Sequence, residues 1–461
     1  MKKSLFLLAC AGLCLAGCKD YLNITPASSL VEDSYFRNTS EVETGVINIY
    51  NALQRVVPYE INLTELRSDN IVPNNLEGDY ATIENFADTP TNDFTTNMWS
   101  TSYYAIARAN IVLKYLGNVT DADKKARFEG EARFARALMH FNLVRLYGDV
   151  PIAITTLAAT ETDALRRRPV AEVYTQIISD LQAAENLLPT TWETVNLGRA
   201  TKGAARALLA KVYLTQQNYA AAKTEIDNLL APPTTYQLLP SFATVFSPAS
   251  EMNAEIIFAI RYKTAANGEG QGFSYDFSKD GATRGLKPPT DFQPLFVTAD
   301  AVRRATSYTG TGATAYVNKF PDAANTGARR DAGTDWIVLR YGEVLLMQAE
   351  ILNELSGPAA GLPALNAIRT RAGVPVYTIA TLPTKAAFFT ALKTERRLEL
   401  AFENYRWYDL LRWNEAVPTM NAHFIATGRP GLSMPTFRTL YPVPQREIDL
   451  SKGVITQNTG Y

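Results

Sequence analysis

The chain has 461 residues, of which 46% are apolar and 20% are charged, and its formal net charge is −1. That length supports one large hydrophobic core or two fused ones, and the balanced charge argues against a nucleic-acid partner, which would select a face rich in Lys and Arg. With only two histidines, His140 and His423, the chain cannot build a His-rich metal site and offers few bases for a Ser-His-Asp triad.

The N-terminus has the three parts of an export signal. Lys2 and Lys3 precede an apolar run over residues 5–15, which is too short to span a bilayer, and small residues then lead to Cys18. This arrangement resembles the lipobox of bacterial lipoproteins, which implies that residues 1–17 are removed and that Cys18 is acylated. The alternative is a plain secretory signal with an incidental cysteine.

Cysteine usage is consistent with a lipid anchor. Cys10 and Cys14 fall within the removed segment, so the mature body has no disulfide, thiolate metal site or thiol nucleophile. Lys19 and Asp20 resemble the short tag that sends some lipoproteins to the outer face of the outer membrane. No later apolar stretch reaches spanning length, and the sequence therefore predicts attachment by lipid alone.

Apolar spacings of three and four residues predict a series of helices after an extended tether at residues 18–40. The first helix begins near Glu41 and ends at Pro58, and residues 66–97 have the Asn, Asp, Thr and Pro content of a loop. Further helices are predicted over residues 99–116, 124–147, 170–188, 201–214, 219–230, 339–355, 359–371 and 384–413.

The remaining segments are less regular. Residues 255–262 alternate enough for one or two short strands. The glycine-rich stretch 265–289 carries Phe273, Tyr275 and Phe277, and a loop of that length with aromatic residues favours a functional role. The chain ends in a polar, proline-rich tail over residues 441–461.

Two of the predicted helix pairs carry a repeat-like pattern. Ala210, Tyr213, Tyr219 and Ala222 resemble the spacing of a tetratricopeptide repeat, in which small residues lie where paired helices touch. The helices predicted within residues 339–371 form the second pair. Long insertions separate the two pairs, so the sequence does not predict a bare solenoid.

Residues 395–413 are dense in acids, arginines and rings. On one helix Glu395, Glu399 and Glu403 share a face, with Arg396 in reach of the last two. Such a cluster could be catalytic. The favoured interpretation is a buried ion-pair network that locks helix to helix, because arginine partners offset the cost of burying a carboxylate among rings.

Other chemical motifs are weak. His140 is predicted to pack in the core and His423 to lie near the surface, and neither adjoins a nucleophile motif. Residues 310–315 match a loose dinucleotide pattern without the strand and helix that it needs. Asp276 and Asp280 place oxygens near a turn, but too few for a calcium loop.

Irregular loops that combine flat rings with Asp, Asn and Arg suit a carbohydrate. Sugar rings offer C–H faces to aromatic side chains and hydroxyl groups to planar polar ones. Exposed rings also suit a protein interface, so physical reasoning alone leaves both classes of partner open.

Several motifs, in the same order along the chain, resemble the SusD/RagB family of outer-membrane lipoproteins. The matching segments are residues 131–152 (EARFARALMHFNLVRLYGDVPI), 340–350 (RYGEVLLMQAE), 395–412 (ERRLELAFENYRWYDLLR), 440–449 (LYPVPQREID) and 457–461 (QNTGY). The resemblance implies a mainly α fold, in which tetratricopeptide-like helical repeats pack against an irregular, loop-rich ligand-binding half with a few short β-strands. It implies an N-terminal helical region over residues 41–235 and a C-terminal region with the ligand-binding loops over residues 236–461.

The same resemblance implies a role without catalysis or cofactor. The lipoprotein would capture an oligosaccharide at the cell surface and deliver it to a SusC-like TonB-dependent transporter, over which it lies as a lid. Some members capture peptides, so a peptide ligand is the first alternative. A glycoside hydrolase, which needs two carboxylates about 5–9.5 Å apart, and a structural lid without its own ligand are the remaining hypotheses.

The matching motifs belong to the scaffold, so the candidate ligand residues are chosen on physical grounds. Rings can stack on sugar faces, and guanidinium, carboxylate and amide groups can bind hydroxyls. The candidate rings are Tyr80, Trp99, Tyr275, Phe277, Tyr308 and Trp336. The candidate polar partners are Arg67, Asp69, Asn70 and Arg284. Ordinary core packing is the alternative for each, above all for Trp99 at the start of a helix.

Overall fold

A computed structural model describes residues 35–73, 77–156, 162–264, 268–279, 286–322 and 331–461. The predicted signal peptide, Cys18, most of the tether and Arg284 lie outside these residues. The described part is mainly helical with a few short strands, which confirms the predicted fold class. None of its helices is both long enough and apolar enough to cross a bilayer.

The N-terminal region is an array of packed helices. They are α1 (Thr39–Gln54), α2 (Val57–Thr64), α3 (Gly78–Glu84), α4 (Asp93–Tyr115), α5 (Ala122–Tyr147), α6 (Val170–Leu187), α7 (Lys202–Thr215) and α8 (Tyr219–Leu230). The largely buried α5 packs between α4 and α6, and α7 and α8 follow as further layers. Asp121, Thr201 and Asn218 each accept a hydrogen bond from a first-turn N–H, which explains why the predicted starts of α5, α7 and α8 are correct to within two residues.

Two predictions for this region are wrong. Pro58 follows the end of α1 but begins another helix, since it lies in the first turn of α2, where a missing N–H costs nothing. Residues 66–97 contain α3 and the start of α4 rather than one loop. The side chain of Asn92 accepts hydrogen bonds from the N–H groups of Phe94 and Thr95, so a residue that suggested a loop is a helix cap.

The C-terminal region has shorter helices and small antiparallel sheets. The helices are α9 (Phe242–Val245), α10 (Phe273–Phe277), α11 (Ala301–Ser307), α12 (Tyr341–Ser356), α13 (Pro358–Ala372), α14 (Lys385–Glu399), α15 (Arg406–Arg412), α16 (Ala416–Ala426) and α17 (Gln445–Leu450). The strands are β1 (Val72–Pro73), β2 (Ile256–Ile260), β3 (Leu286–Lys287), β4 (Tyr308–Thr309), β5 (Tyr316–Val317) and β6 (Trp336–Arg340). β1 pairs with β3, β2 with β6, and β4 with β5.

The helix α12 continues the N-terminal array. It packs on α8 although the whole loop-rich insertion lies between the two helices in the sequence, and α13 and α14 pack on it in turn. The turn from α12 into α13 passes through Gly357, whose φ of 90° suits glycine. Strand β2 holds the insertion against the array, because it pairs with β6 and contacts α1 and α7.

The helix predicted over residues 384–413 is broken. α14 ends at Glu399 and α15 begins at Arg406, because Phe402 (φ 68°) and Asn404 (φ 64°) have left-handed backbone between them. The glycine-rich stretch 265–289 and the tail 441–461 are also more regular than predicted, since they contain α10 and α17.

The structure confirms the buried ion-pair network. Arg340 approaches three carboxylates, with Nε 2.7 Å from Glu403 Oε2 and Nη1 2.7 Å from Glu399 Oε1 and 3.0 Å from Glu255 Oε1. Burial opposes its charge, but these carboxylates raise the pKa of Arg340 well above its usual value. Lys319 Nζ lies 2.5 Å from Glu403 Oε1 in the same cluster. The acids of this motif therefore serve the scaffold.

Candidate ligand-binding site

An open depression of about 560 Å³ lies where α14, α15 and α16 meet the turn at residues 69–70, and we call it the charged depression. Its lining residues are Asp69, Asp291, Arg397, Arg406, Glu415, Pro418, Thr419, Ala422, His423 and Ala426. Two of the candidate residues chosen from the sequence come together here. Asp69 lines the depression, and Asn70 supports one of its arginines.

Asp69 holds the two arginines in place. Arg406 approaches it in a forked arrangement, with Nε 2.7 Å from Oδ1 and Nη2 3.0 Å from Oδ2. Arg397 donates from Nε to Asn70 Oδ1 at 2.9 Å and from Nη2 to the Asp69 carbonyl oxygen at 2.7 Å. Within the described residues neither Nη1 has a hydrogen-bond partner, and the two arginine side chains are 14% and 11% exposed. Each therefore keeps an unused N–H edge at the depression.

The electrostatics keep all three groups ionised. Burial alone would raise the pKa of Asp69, but Arg397 and Arg406 outweigh it and hold that pKa well below its usual range. Burial and the neighbouring Arg406 lower the pKa of Arg397 to about 10, against the attraction of Asp69. Arg406 makes the two parallel bonds to Asp69, and its pKa is raised despite its burial.

His423 and Asp291 form the opposite part of the lining. His423 Nδ1 lies 2.8 Å from Asp291 Oδ2, and its Nε2 lies 3.3 Å from Arg429 Nη2. A guanidinium can only donate, so Nε2 accepts and Nδ1 carries the proton that it donates to Asp291. His423 is almost fully buried, so its predicted surface position is wrong; α16 turns its ring inward against Phe424 and Asp291. Asp291 Oδ1 has no hydrogen-bond partner among the described residues.

The helical phase of α14 explains why one motif serves both scaffold and depression. Successive residues of a helix point about 100° apart, so Arg396 and Arg397 cannot enter the same network. Arg396 turns inward and binds Asp409 through two hydrogen bonds of 2.9 and 3.0 Å. Arg397 turns toward Asp69. Arg397 and Arg406 belong to the motif that was interpreted as scaffold, so their place in the depression was not predicted, although the phase difference can be read from the sequence.

Arg67 lies in the core instead of the depression. It has no exposed surface, its Nη1 is 2.5 Å from Asp88 Oδ1, and its guanidinium lies over the rings of Phe86 and Tyr441 at 4.0 and 4.5 Å. All of these contacts are internal. The structure therefore gives Arg67 a scaffold role and corrects its proposed use as a hydroxyl partner.

Four of the candidate rings are also buried. Phe277 and Trp336 pack against Phe320 with ring centroids 5.3 and 5.2 Å away. Tyr308 contacts Phe296 at 5.6 Å, and Trp99 meets Tyr147 edge-on at 5.1 Å. All four rings are at most 3% exposed, so in this arrangement none presents an open face to a sugar.

Two candidate rings remain partly exposed. Tyr80 lies on α3, where it meets Phe94 edge-on at 4.8 Å, and Tyr275 lies on α10. Neither lines the charged depression. Their role in ligand binding stays a prediction. Nowhere in the described ranges do three His, Cys, Asp or Glu side chains gather closely enough to hold a metal ion.

Comparison with known proteins gives matches along nearly the whole chain. Residues 296–461 match the model of the SusD family, and residues 20–214 match a family described as starch-binding and associating with the outer membrane. The chain is 28% identical to SusD-like protein P2 of Formosa agariphila, and the match covers 97% of this chain and 98% of that protein.

Solved structures have the same fold. A laminarin-binding SusD-like protein superposes with a TM-score of 0.74 at 25% identity, over 92% of this chain and all of the other. Surface glycan-binding protein A from Bacteroides thetaiotaomicron, in complex with laminarihexaose, superposes with a TM-score of 0.78 at 20% identity, over 91% of this chain and 99% of the other.

Proposed function

This chain belongs to the SusD/RagB family, and from that premise we propose that it captures an oligosaccharide at the cell surface without altering it. The captured glycan passes to a SusC-like TonB-dependent transporter for import. Two proteins of the same fold are named for laminarin or glycan binding, which supports a carbohydrate ligand. The family description that includes the outer membrane supports the location.

We propose that the charged depression is where the glycan binds. The observation that carries this is the pair of unused N–H groups on its lining, Nη1 of Arg397 and Nη1 of Arg406, beside the carboxylate of Asp291. Planar guanidinium and carboxylate groups held rigidly by neighbours suit the neighbouring hydroxyls of a sugar, because donors and acceptors are then fixed before binding. Asp69 and Asn70 act by holding the arginines.

The charge state of Asp69 suits a binding role better than hydrolysis. A glycosidase needs a carboxylic acid whose pKa is raised, so that it can protonate the leaving oxygen. The pKa of Asp69 is shifted in the opposite direction by its two arginines. Pure protein is therefore expected to release no reducing ends from any polysaccharide that it binds.

The location depends on the lipid anchor, which we propose to be acylated Cys18 after removal of residues 1–17. Intact mass spectrometry of protein from membranes should give a chain that begins at Cys18 and carries acyl groups. An unmodified N-terminus would exclude this anchor, whatever the result of the binding experiments.

Ligand capture is tested by affinity electrophoresis on polysaccharides followed by calorimetry. Ala422 is exposed on α16 within the depression, and Ala422→Trp should fill it and weaken binding at least tenfold. Ile425→Trp is the matched control, because Ile425 is exposed on the same helix but does not line the depression. Equal affinity of the two variants would remove the depression as the site. Binding of peptides with no retardation by any polysaccharide would favour the peptide alternative.

A further inference from the structure

The two arginines of the charged depression share one carboxylate. Arg406 binds Asp69 through Nε and Nη2, and Arg397 Nη2 lies 2.9 Å from Asp69 Oδ2. One negative charge therefore lies against two positive ones at this point of the lining. Burial and the repulsion of Arg406 lower the pKa of Arg397 to about 10, against the attraction of Asp69, so the pair would attract a further anion beside it.

The unused polar groups of these arginines can only donate. A guanidinium has N–H groups and no acceptor, and within the described residues Nη1 of Arg397 and Nη1 of Arg406 have no hydrogen-bond partner. A ligand oxygen that carries no proton can accept from both groups. A sugar hydroxyl can also accept, but it carries a proton that needs an acceptor of its own.

The acidic oxygens of the lining are largely engaged. Asp69 uses both of its oxygens for the arginines, and Asp291 Oδ2 accepts from His423 while its Oδ1 is buried. Glu415 Oε1 lies 2.6 Å from Lys393 Nζ. A neutral sugar would therefore find free donors more readily than free acceptors among the described residues, whereas an oxyanion needs donors alone.

Both guanidinium groups are held in fixed planes. Arg397 donates to Asn70 Oδ1 and to the Asp69 carbonyl oxygen. Its Cζ also lies 5.2 Å from the centre of the Phe292 ring. Arg406 is fixed by its forked bonds to Asp69. Planar groups with fixed N–H directions match a carboxylate or a sulfate ester, and hydrogen bonds to a charged acceptor are about twice as strong as those between neutral groups.

We propose that the charged depression selects acidic oligosaccharides and holds a carboxylate or sulfate group of one sugar against Nη1 of Arg397 and Nη1 of Arg406. The two groups share the chemistry of an oxyanion on a sugar ring. Neighbouring hydroxyls would reach Thr419 and Glu415, which line the same depression. Its volume of about 560 Å³ lies within the range of small-molecule sites. This inference rests on the proposed function, because it names the class of glycan that the same site takes.

Matched polysaccharides test the selection on the mature chain with Cys18→Ser, which cannot be acylated. Alginate and polygalacturonate carry carboxylates, whereas carrageenan and dextran sulfate carry sulfates. Each is compared by affinity electrophoresis with its carboxyl-reduced or desulfated form, which keeps the backbone and loses the charge. We expect retardation by at least one acidic polymer and affinity at least tenfold lower for its uncharged form. The two kinds of acidic polymer distinguish a carboxylate from a sulfate.

A substitution and its control separate the arginine pair from charge in general. Arg397→Gln removes one of the two donors, and Arg168→Gln removes an arginine that is 50% exposed and does not line the depression. We expect Arg397→Gln to weaken binding of the acidic polymer at least tenfold and Arg168→Gln less than twofold. Ala422→Trp keeps both arginines and fills the depression, so it tests the same site if Arg397→Gln fails to fold.

The outcomes distinguish this inference from the proposed function. Retardation by neutral polysaccharides with no preference for acidic ones would overturn the inference and leave glycan capture intact. Equal binding of an acidic polymer by Arg397→Gln and Arg168→Gln would also overturn it, because the charge would then be recognised elsewhere. No retardation by any polysaccharide would overturn both.

Discussion

His140 lies in the middle of α5 with no exposed surface. Its Nδ1 is 3.1 Å from the Arg136 carbonyl oxygen, which can only accept, so Nδ1 carries a proton; Nε2 has no hydrogen-bond partner among the described residues. Burial lowers the pKa of His140 to about 4, against the attraction of Asp180 and with the repulsion of Arg136. The ring is therefore neutral when folded and binds a second proton readily only when the chain unfolds.

Acid should reduce stability through this residue. An unfolded histidine takes up its proton near pH 6.5 and folded His140 only near pH 4, so stability falls as pH decreases between these values, by at most about 1.4 kcal/mol per pH unit. In His140→Gln, the glutamine amide keeps an N–H donor for the Arg136 carbonyl oxygen and has no group that titrates. We expect this variant to be less stable than the wild type at pH 7 in urea unfolding, with the difference shrinking toward pH 4.5. A constant difference would contradict the low pKa.

For the candidate ligand residues, the sequence predicted the chemical type of the side chains better than it predicted where they lie in the fold. Asp69 lines the depression and Asn70 holds Arg397 beside it, although both side chains are themselves buried. The rings of Phe277 and Trp336 do not line it, because composition cannot distinguish a ring in a loop that packs inward from one that faces solvent. Their common neighbour Phe320 is distant in sequence from Phe277, and only the tertiary fold brings them together.

The break between α14 and α15 is the element that shapes the depression, because it lets Arg397 and Arg406 converge on Asp69 from different helices. Asn404 lies within it at φ 64°, and both polar atoms of its side chain are buried without a hydrogen-bond partner in the described part of the chain. Its backbone N–H donates to Glu65 Oε1 at 2.5 Å. The residue is therefore required for its backbone conformation and not for its amide.

Two substitutions separate these contributions. In Asn404→Gly, glycine adopts the left-handed backbone without strain and the unsatisfied side-chain amide is removed. We therefore expect stability equal to or above that of the wild type. Asn404→Ala removes the same amide but retains Cβ, which costs about 1–2 kcal/mol in this region. In urea unfolding, Asn404→Gly should therefore have a higher free energy of unfolding than Asn404→Ala. Equal stability of the two variants would show that the backbone at this position relaxes.

Long periodic elements were predictable and breaks were not. The apolar spacing of α5 to α8 persists over several turns, and their caps are local signals. The left-handed backbone at Phe402 has no such signal, because a buried phenylalanine is an ordinary helix residue until tertiary packing fixes it otherwise. α2 and α3 were not predicted, because they are short and lie among polar residues.

At the scale of the whole molecule, one hydrophobic cluster of the described residues runs through both predicted regions, and two smaller clusters lie within residues 236–461. Polar contacts also join the two regions: Tyr408 donates to Glu60 Oε1 at 3.2 Å, and Tyr441 donates to the Leu63 carbonyl oxygen at 2.8 Å. A division near residue 235 therefore describes sequence organisation, and we propose that it does not mark independently folding units.

Separate production of residues 18–235 and 236–461 tests this. Each fragment would expose the apolar surface that the other covers, so we expect both to be protease-sensitive and to lack near-ultraviolet circular dichroism. Mixing the fragments during refolding should restore the signal of the intact chain. A stable, protease-resistant fragment 236–461 on its own would show that the C-terminal region is a domain.

Residues of the C-terminal segment form hydrogen bonds with the end of α5, in the first half of the chain. The Tyr441 N–H donates to the Leu146 carbonyl oxygen at 2.8 Å, and Asn458 Nδ2 donates to that of Tyr147 at 3.0 Å, both at the end of α5. Asn458 lies 311 residues after Tyr147, so during synthesis the end of α5 lacks this partner until the segment that carries Asn458 has been made.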